Sequence, residues 1–320
     1  MNFDVFNGDA DGICALLQLR LAKPLESTLI TGVKRDIGLL RRVNAQVGDQ
    51  VTVLDVSLDK NRQPLLALLD RRVDVFYVDH HQSGEIPAHP QLRAIIDTDA
   101  NVCTSLLIDR YLNHRFTAWA VVAAFGDNLE QSALRAAQAL KLSVEQLQQL
   151  RQLGVCINYN AYGESLDDLH FAPAALFESL SGYVSPFDFI TDRADVFQAL
   201  ADGYAADMAN ARKVAPEFQT EKASVFILPD EKWARRVSGV WSNELTNQHP
   251  DKAHAVLTHN QQGGFLVSVR APLNNKMGAD VLCGQFPGGG GRKAAAGINH
   301  LLLDQVSTFI NAFERQYYDK

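Results

Sequence analysis

Short apolar runs alternate with amphipathic stretches over the first hundred residues of the chain. The runs are rich in β-branched and aromatic residues, which favour strands. They are "FDVF" (3–6), "STLITGV" (27–33), "VTVLDV" (51–56), "VDVFYVD" (73–79) and "RAIID" (93–97). Between them, "GICALLQLRLA" (12–22) and "NRQPLLALLDRR" (61–72) carry apolar residues at helical spacing. This rhythm predicts βαβ units and a parallel sheet with helices on its faces.

The pattern changes twice further along the chain. Residues 102–155 carry apolar residues at three-to-four spacing throughout, and 192–214 form a long amphipathic stretch. Strand-like runs then return at 223–228, 253–260 and 263–272. We therefore predict an α/β protein with three parts. They are an N-terminal parallel-sheet domain (1–190), a helical connector (191–221) and a smaller α/β C-terminal domain (222–320).

Composition indicates an ordinary globular protein of 320 residues. No apolar run reaches the ~18–20 residues that a membrane span needs, and the N-terminus lacks the pattern of an export signal. A cytoplasmic location without membrane contact is therefore expected. The four cysteines are scattered, which predicts reduced and mostly buried thiols.

The net charge of −7 disfavours a protein that coats long duplex nucleic acid, since such binding depends on neutralising many phosphates. The charge is uneven: residues 222–320 contain 11 Lys and Arg against 8 Asp and Glu, whereas residues 1–221 contain 19 against 29. This asymmetry is compatible with an acidic metal-binding part and a basic anion-binding part, although ordinary variation of surface charge would also produce it.

Acidic and imidazole side chains follow several of the predicted strands. Asp9 comes after the first strand, Asp55 ends "VTVLD", and Asp79 ends "VFYVD" and precedes His80 and His81. Because the ends of parallel strands meet at one edge of a sheet, these side chains should converge in one cleft.

Asp127 follows the apolar helix that ends in "AFGDN", where an unpaired buried carboxylate would be costly. A metal ion would remove that cost. Oxygen ligands with one or two imidazoles suit Mn²⁺ or Mg²⁺, and also Fe or Co²⁺, whereas the lack of thiolates argues against structural zinc.

Each of these residues also has an ordinary structural interpretation. Asp11 is better explained as an N-cap of the helix that begins near Gly12 than as a metal ligand. Asp55 alone could cap a strand end, and adjacent residues such as His80 and His81 point to opposite faces of a strand. Only the conjunction of the four segments favours a metal cleft.

The same segments resemble the motif series of the DHH phosphoesterases. The matching segments are "NGDADG" (7–12), "LDVS" (54–57), "VDHHQSGE" (78–85) and "GDN" (126–128). Downstream, "GQFPGGGGRKAAAGI" (284–298) resembles the glycine-rich GGGHxxAAG signature of the DHH-associated C-terminal domain. The motifs occur in the family's order and span nearly the whole chain.

The resemblance implies an N-terminal domain with two metal ions, usually Mn²⁺, and a C-terminal domain that closes over it and holds the substrate. By position, Asp9 would bind one metal and Asp55 would bridge the two, with Asp127 and the segment Asp79-His80-His81 completing the ligands. The division of the two histidines between metal and phosphate stays open. Asp79 would position the attacking water or take its proton, and His81 would donate a hydrogen bond to the developing charge.

Two positions depart from the family pattern. Relatives usually have Asp where this chain has Asn7, so one metal site would be weaker or would use Asp4 instead. Relatives commonly have His where this chain has Arg292, which suits a phosphate through its planar fork but alters substrate specificity.

Substrate contacts are expected in the C-terminal domain. The backbone N–H groups of Gly289, Gly290 and Gly291 could cradle a phosphate. Arg292 and Lys293 adjoin them, and the helix-prone "KAAAG" that follows predicts an anion at a helix N-terminus.

Two further residues are weaker candidates. Arg270 resembles the family's substrate-binding arginine, although a surface arginine is an equal explanation. Phe286 is the one candidate for stacking on a base.

The pattern as a whole predicts a metal-dependent phosphoesterase that hydrolyses phosphodiester bonds of small nucleotides. Short oligoribonucleotides, cyclic nucleotides or dinucleotides, and bisphosphorylated nucleosides all fit. Hydrolysis of polyphosphate or pyrophosphate is one alternative, and a nucleotide-binding protein with weakened catalysis is another. Family members often dimerise, so a homodimer is one assembly that the resemblance implies.

Overall fold

In a computed structural model that describes residues 1–318, the five N-terminal apolar runs form one parallel sheet. Its strands are β1 (Asn2–Phe6), β2 (Thr28–Ile30), β3 (Gln50–Leu54), β4 (Asp74–Asp79) and β5 (Leu92–Ile96). Their order is β2-β1-β3-β4-β5, and each neighbouring pair is parallel. The strand order reverses between β1 and β3, which is where open α/β sheets bind ligands.

Helices accompany this sheet along the chain. They are α1 (Ala10–Ala22), α2 (Leu58–Asp70), α3 (Thr104–Tyr111), α4 (Thr117–Gly126), α5 (Glu130–Ala137), α6 (Val144–Asn160), α7 (Pro173–Leu180) and α8 (Pro186–Asp192). Alternate strand residues such as Val51, Val53 and Val75 pack with leucines of α2 in one apolar cluster. The intervening residues, among them Phe6 and Leu54, are also fully buried, and α1 and α3 contact these strands outside that cluster. Burial on both faces explains the nearly continuous apolar runs.

The C-terminal runs form a second, mixed sheet. Its strands are β6 (Phe218–Gln219), β7 (Ala223–Ile227), β8 (Ala253–His259), β9 (Gly264–Arg270), β10 (Gly289–Gly291) and β11 (Ala295–Leu302). The order is β10-β11-β9-β8-β7-β6, with β7 and β8 parallel and the other pairs antiparallel. The helices are α10 (Lys232–Gln248), α11 (Ala279–Cys283) and α12 (Val306–Tyr318). Apolar residues of β7–β9, α11 and α12 form its main core.

The chain divides into two units. Residues Met1–Ala161 and Ser165–Asp202 belong to the first, and Tyr162–Glu164 and the chain from Gly203 onward belong to the second. The division falls inside α9 (Ala194–Ala211), within the segment predicted as a connector.

The predicted α/β class, with a parallel sheet followed by a second α/β part, is confirmed. The helical region predicted over 102–155 corresponds to α3 to α6. All four cysteines are buried, and none forms a disulfide within the described chain, as expected. In the described chain, no helix combines the length and the apolar character that crossing a bilayer requires.

Candidate metal centre

The acidic side chains lie where the strands end. Asp9 follows β1, Asp55 follows β3 directly, and Asp79 is the last residue of β4. Because β3 lies between β1 and β4, three neighbouring strands deliver one carboxylate each to the same edge. All three side chains are buried.

Asp9 holds the start of α1. Its Oδ1 accepts hydrogen bonds from the N–H groups of Asp11 and Gly12 at 3.0 and 3.1 Å, so Asp9 is the N-cap of α1. A Cβ at Gly12 would lie 2.2 Å from the Asn7 carbonyl oxygen, so only glycine permits this tight turn. Burial raises the pKa of Asp9, but the charge and hydrogen bond of Lys34 outweigh it and hold that pKa below its ordinary value.

Asp11 does not cap α1, so that prediction is wrong. It lies in the first turn of α1, and its carboxylate reaches the start of α3, where the N–H groups of Thr104 and Ser105 each donate to it at 2.7 Å. Asp11 therefore accepts hydrogen bonds from backbone N–H groups at the start of a helix, as predicted, but that helix is α3 and not α1. Burial raises the pKa of Asp11, His80 opposes this rise, and Asp127 and Asp9 add to it.

Asp55 has a backbone conformation that is uncommon outside glycine. Its φ is +56°, in the left-handed region, and such positions concentrate at functional sites. Burial raises the pKa of Asp55 well above its ordinary value, and the neighbouring carboxylates of Asp9 and Asp11 raise it further. A bound cation would relieve this crowding of negative charge.

Asp79 and His81 form a close pair, with His81 Nδ1 2.7 Å from Asp79 Oδ1. Burial raises the pKa of Asp79, but its hydrogen bond and charge interaction with His81 keep that pKa below its ordinary value. Burial lowers the pKa of His81, yet the bond to Asp79 and the charges of Asp79 and Asp55 raise it overall. Asp79 Oδ2 is buried, and among the described residues it has no hydrogen-bond partner.

His80 is oriented by the backbone. Its Nδ1 lies 2.8 Å from the carbonyl oxygen of Val102, and a carbonyl oxygen can only accept, so Nδ1 carries the hydrogen. In the neutral ring, Nε2 then has the free lone pair, which is the arrangement typical of a metal-binding histidine. Nε2 lies 3.4 Å from Asp55 Oδ1 and 3.9 Å from both Asp11 Oδ2 and Asp127 Oδ2.

Two overlapping sets of side chains could hold a metal ion. One comprises Asp55, His80 and His81, and the other Asp11, His80 and Asp127. Within each set the potential ligand atoms lie within 4.8 Å of one another. Asp127 reaches this position as the C-cap of α4. Carboxylate oxygens with imidazole nitrogens fit Mn²⁺, Mg²⁺ or Co²⁺. Asp79 Oδ2, which has no hydrogen-bond partner among residues 1–318, is a further acceptor in the segment that carries His80 and His81.

Asn7 and Asp4 do not join these sets. Asn7 donates through Nδ2 to the Lys34 carbonyl oxygen at 3.4 Å, and its buried Oδ1 has no hydrogen-bond partner within the described chain. Asp4 points to Arg20, with which it forms an ion pair, and accepts from Ser27 Oγ at 2.6 Å. The idea that Asp4 replaces the missing carboxylate is therefore wrong.

Lys34 is the residue that sequence reasoning missed. Its ammonium forms an ion pair with Asp9 Oδ2, lies 3.6 Å from Asp127 Oδ1 and donates to Asn158 Oδ1 at 3.0 Å. The signal was present, because Lys34 follows β2 just as Asp9 follows β1. An ammonium group is neither a carboxylate nor an imidazole, so the pattern that marks metal ligands in the sequence does not include it.

The predicted phosphate loop in the second unit is a hairpin. Gly289–Gly291 form β10, and the Ala-rich segment after Lys293 forms β11 between β10 and β9. The predicted helix N-terminus is therefore wrong, since pairing with two strands overrides the helix propensity of alanine. Arg292 and Lys293 are exposed at the hairpin turn.

The other two candidates in the second unit have structural contacts. Arg270 ends β9, is partly buried and donates from Nε to Asn243 Oδ1 at 2.9 Å. Phe286 is buried against Phe309, with ring centroids 5.6 Å apart. The idea that Phe286 stacks on a base is wrong, because the ring belongs to the core.

No protein-family model matches the sequence, and no curated protein matches it either. The structure is similar to that of RecJ in complex with Mn²⁺ from Thermus thermophilus, with a TM-score of 0.60 and 16% identity. That match covers 98% of this chain but 51% of the RecJ chain, so the chain spans about half the length of that relative.

Two further solved structures are similar over almost their whole length. An exonuclease RecJ bound to manganese has a TM-score of 0.61 and 16% identity, covering 100% of this chain and 90% of the other. The pGpG-specific phosphodiesterase PggH from Vibrio cholerae has a TM-score of 0.52 and 11% identity, covering 99% and 98%. The chain thus has the two-domain fold of the DHH-family phosphoesterases.

Proposed function

We propose that this protein is a metal-dependent phosphoesterase that hydrolyses phosphodiester bonds in small nucleotides. The observation that carries the proposal is the position of His80 Nε2. Its lone pair points into a group of carboxylates from three different chain segments, the buried Asp11 and Asp55 and the partly buried Asp127. Such a group is costly to bury unless a cation neutralises it.

The similar structures support the metal and the reaction class. Two RecJ structures contain manganese, and PggH is a pGpG-specific phosphodiesterase. Mn²⁺ is therefore the cation we propose for this chain, with Asp55, His80, Asp11 and Asp127 as the residues that would hold it. A bound divalent cation lowers the pKa of a coordinated water and polarises a phosphoryl oxygen.

The Asp79–His81 pair has a separate role in this proposal. Asp79 Oδ1 fixes the ring of His81 through Nδ1, which leaves His81 Nε2 to contact the substrate. The ring is half-buried, so it remains accessible to a ligand. Since interaction with Asp79 favours the charged ring, His81 can donate a hydrogen bond or a proton from Nε2 to an oxygen that becomes negative.

A small substrate fits the charge of the chain. With a net charge of −7, the protein lacks the excess of Lys and Arg that long duplex nucleic acid requires. We propose that phosphate contacts come from Arg270, from Arg292 and Lys293 at the hairpin turn, and from the backbone of Gly290 and Gly291. The N–H of Gly289, also predicted to bind phosphate, donates instead to the Phe286 carbonyl oxygen at 3.0 Å. Exposed cationic side chains beside glycine backbone suit a phosphate group.

The test is release of mononucleotide from a 5′-phosphorylated diribonucleotide by metal-stripped protein. Product should appear after Mn²⁺ is added and should be absent in EDTA. The control is the variant Asp59→Asn, which changes an exposed carboxylate of α2 and should retain activity.

Failure with the dinucleotide but release of phosphate from pyrophosphate or polyphosphate would change the substrate class. Binding of nucleotide without hydrolysis of any of these compounds would contradict the enzymatic proposal and favour a binding protein.

A further inference from the structure

Two cation positions are expected of this fold from its resemblance to the DHH phosphoesterases, yet the residues of this chain differ at one of them. We propose that the ammonium group of Lys34 permanently occupies the position beside Asp9 and Asp127, so that the centre binds a single divalent cation on the His80 side. This inference rests on the proposed function, which supplies the metal. The new statement is that the centre binds one divalent cation rather than two.

Lys34 is surrounded by oxygen atoms from three chain segments. They are Asp9 Oδ2 from the loop before α1, Asp127 Oδ1 at 3.6 Å from the end of α4, and Asn158 Oδ1 at 3.0 Å from α6. An ammonium group has three hydrogens to donate. Carboxylate and amide oxygens are also the ligands of a hard divalent cation, so the ammonium takes up the oxygens that such an ion would use.

The backbone holds Lys34 in this place. Its N–H donates to the Ala161 carbonyl oxygen at 2.9 Å, and its own carbonyl oxygen accepts from Asn7 Nδ2 at 3.4 Å. The side chain is 22% exposed. A lysine anchored at both its backbone and its charged end is a fixed part of the centre.

Asn7 is consistent with this arrangement. The family pattern has a carboxylate at this position, which a second divalent cation would use. This chain has a neutral amide, whose buried Oδ1 has no hydrogen-bond partner within the described residues. Relative to the family pattern, this position therefore has one negative charge fewer, while the Lys34 ammonium pairs with Asp9 two residues later.

Asp127 joins the two cation positions. Its Oδ1 faces Lys34 Nζ at 3.6 Å, and its Oδ2 faces His80 Nε2 at 3.9 Å. A carboxylate that divides its oxygens in this way can bridge an ammonium group and one metal ion. A second divalent ion at Asp9 would lie against the ammonium, and the two like charges would repel each other.

The test is the Mn²⁺ stoichiometry of the full-length chain, measured by elemental analysis and by electron paramagnetic resonance. The variants are Lys34→Ala and the double variant Asn7→Asp with Lys34→Ala. The control is Lys60→Ala, because Lys60 is an exposed lysine of α2 with its Nζ 3.8 Å from Asp59. Circular dichroism in EDTA checks that each variant is folded.

We expect the wild type and Lys60→Ala to bind one Mn²⁺ with the hyperfine pattern of an isolated ion. The double variant should bind a second Mn²⁺, with the spin-coupled signal of a pair. Its affinity for the second ion should exceed that of the wild type by at least about tenfold, the effect typical of a residue that controls a metal ligand. Lys34→Ala alone should show the same change more weakly, since it lacks the added carboxylate.

Two results would overturn the inference. One is a wild-type protein that binds two spin-coupled Mn²⁺ ions, and the other is a folded double variant that still binds one. Neither result affects the proposed metal-dependent reaction. A wild type that binds no Mn²⁺ would contradict the proposed function itself, so the two failures are distinguishable.

Discussion

The two sheets bury polar side chains in opposite ways. In the second sheet, His254 of β8 is 1% exposed, and within the described chain neither ring nitrogen has a hydrogen-bond partner. Burial, and then the electrostatic effect of His249 and Lys252, lower its pKa to about 3, so the ring is neutral near pH 7. The edge of the first sheet instead gathers several carboxylates, one of which, Asp55, has a pKa raised well above its ordinary value.

This difference distinguishes His254, which is a structural residue, from the carboxylates at the edge of the first sheet, which we propose bind a metal ion. A single buried imidazole avoids the cost of its charge by losing a proton. A group of carboxylates arranged around His80 and Lys34 cannot all be neutralised by protonation near neutral pH, and Asp79 and Asp9 have lowered pKa values. The carboxylate cluster therefore gains stability from a cation, whereas the His254 site does not need one.

The strongest test of this contrast is Asp55→Asn. The amide keeps the shape but removes the charge, so Mn²⁺ binding should be lost and phosphoester hydrolysis should fall on the order of 10³-fold. Calorimetric titration and product release measure the two effects.

Stability in EDTA should be unchanged or higher in Asp55→Asn, because one charge is removed from beside Asp9 and Asp11. A variant that unfolds in EDTA, or one that retains both Mn²⁺ binding and activity, would show that Asp55 is only a structural residue.

A smaller effect should come from the helix contact that places Asp127. A Cβ at Gly154 of α6 would lie 2.0 Å from the Val122 carbonyl oxygen of α4, so Gly154→Ala forces the two helices apart. Such overpacking costs about 1–3 kcal/mol. Denaturant unfolding should show this loss, and Mn²⁺ affinity should fall because Asp127 ends α4.

The control for this variant is Ala175→Gly, at an exposed position of α7. It should cost about 1 kcal/mol through helix propensity alone, and it should leave Mn²⁺ affinity unaltered because it does not move α4. An equal loss of Mn²⁺ affinity in both variants would mean that general destabilisation, rather than the position of Asp127, weakens metal binding.

The His254 site predicts a pH effect. His254 has an ordinary pKa of 6.5 and a folded pKa of about 3, so below pH 6.5 the unfolded chain binds a proton that the folded chain does not. Stability is therefore complete above pH 6.5 and is lost as the pH falls, by roughly 1.4 kcal/mol per pH unit. His254→Leu should remove this contribution. The difference in unfolding free energy between the two proteins should change between about pH 7.5 and 5.5, and a constant difference would refute the assignment.

The smallest effect should come from an exposed ion pair of the second unit. Arg212 Nη2 lies 2.6 Å from Glu244 Oε2, with the arginine side chain 54% exposed. Solvent screens such pairs, so Glu244→Gln should change stability by less than about 1 kcal/mol and leave Mn²⁺ binding unaltered. A larger change would mean that surface charge contributes more to this unit than burial suggests.

Much of the fold could be predicted because alternation of strand and helix patterns is a local signal. The rule that parallel strands end at one edge also located Asp9, Asp55, Asp79 and His80. Pairing between strands that are distant in the sequence was not predictable. The segment "KAAAG" has a helical composition, but its last three residues belong to β11, which pairs with β10 on one side and β9 on the other. The part played by Asp11 depends on the N–H of Thr104 in α3, which lies 93 residues later along the chain.

Lys34 illustrates a different limit. The sequence shows that Lys34 follows the β2 segment. It does not show that the ammonium group contacts Asp9 and Asn158, and only those contacts indicate its role in the centre. The sequence therefore predicts where ligands converge more readily than it predicts how their charges are balanced.

Anomalous diffraction at the manganese edge, from crystals of the full chain grown with Mn²⁺, tests the proposed metal centre most directly. We expect an anomalous peak at coordination distance from His80 Nε2 and an Asp55 carboxylate oxygen. Crystals with Mn²⁺ present at saturating concentration, an intact cluster and no peak beside His80 would contradict the claim that this edge of the first sheet is a metal centre.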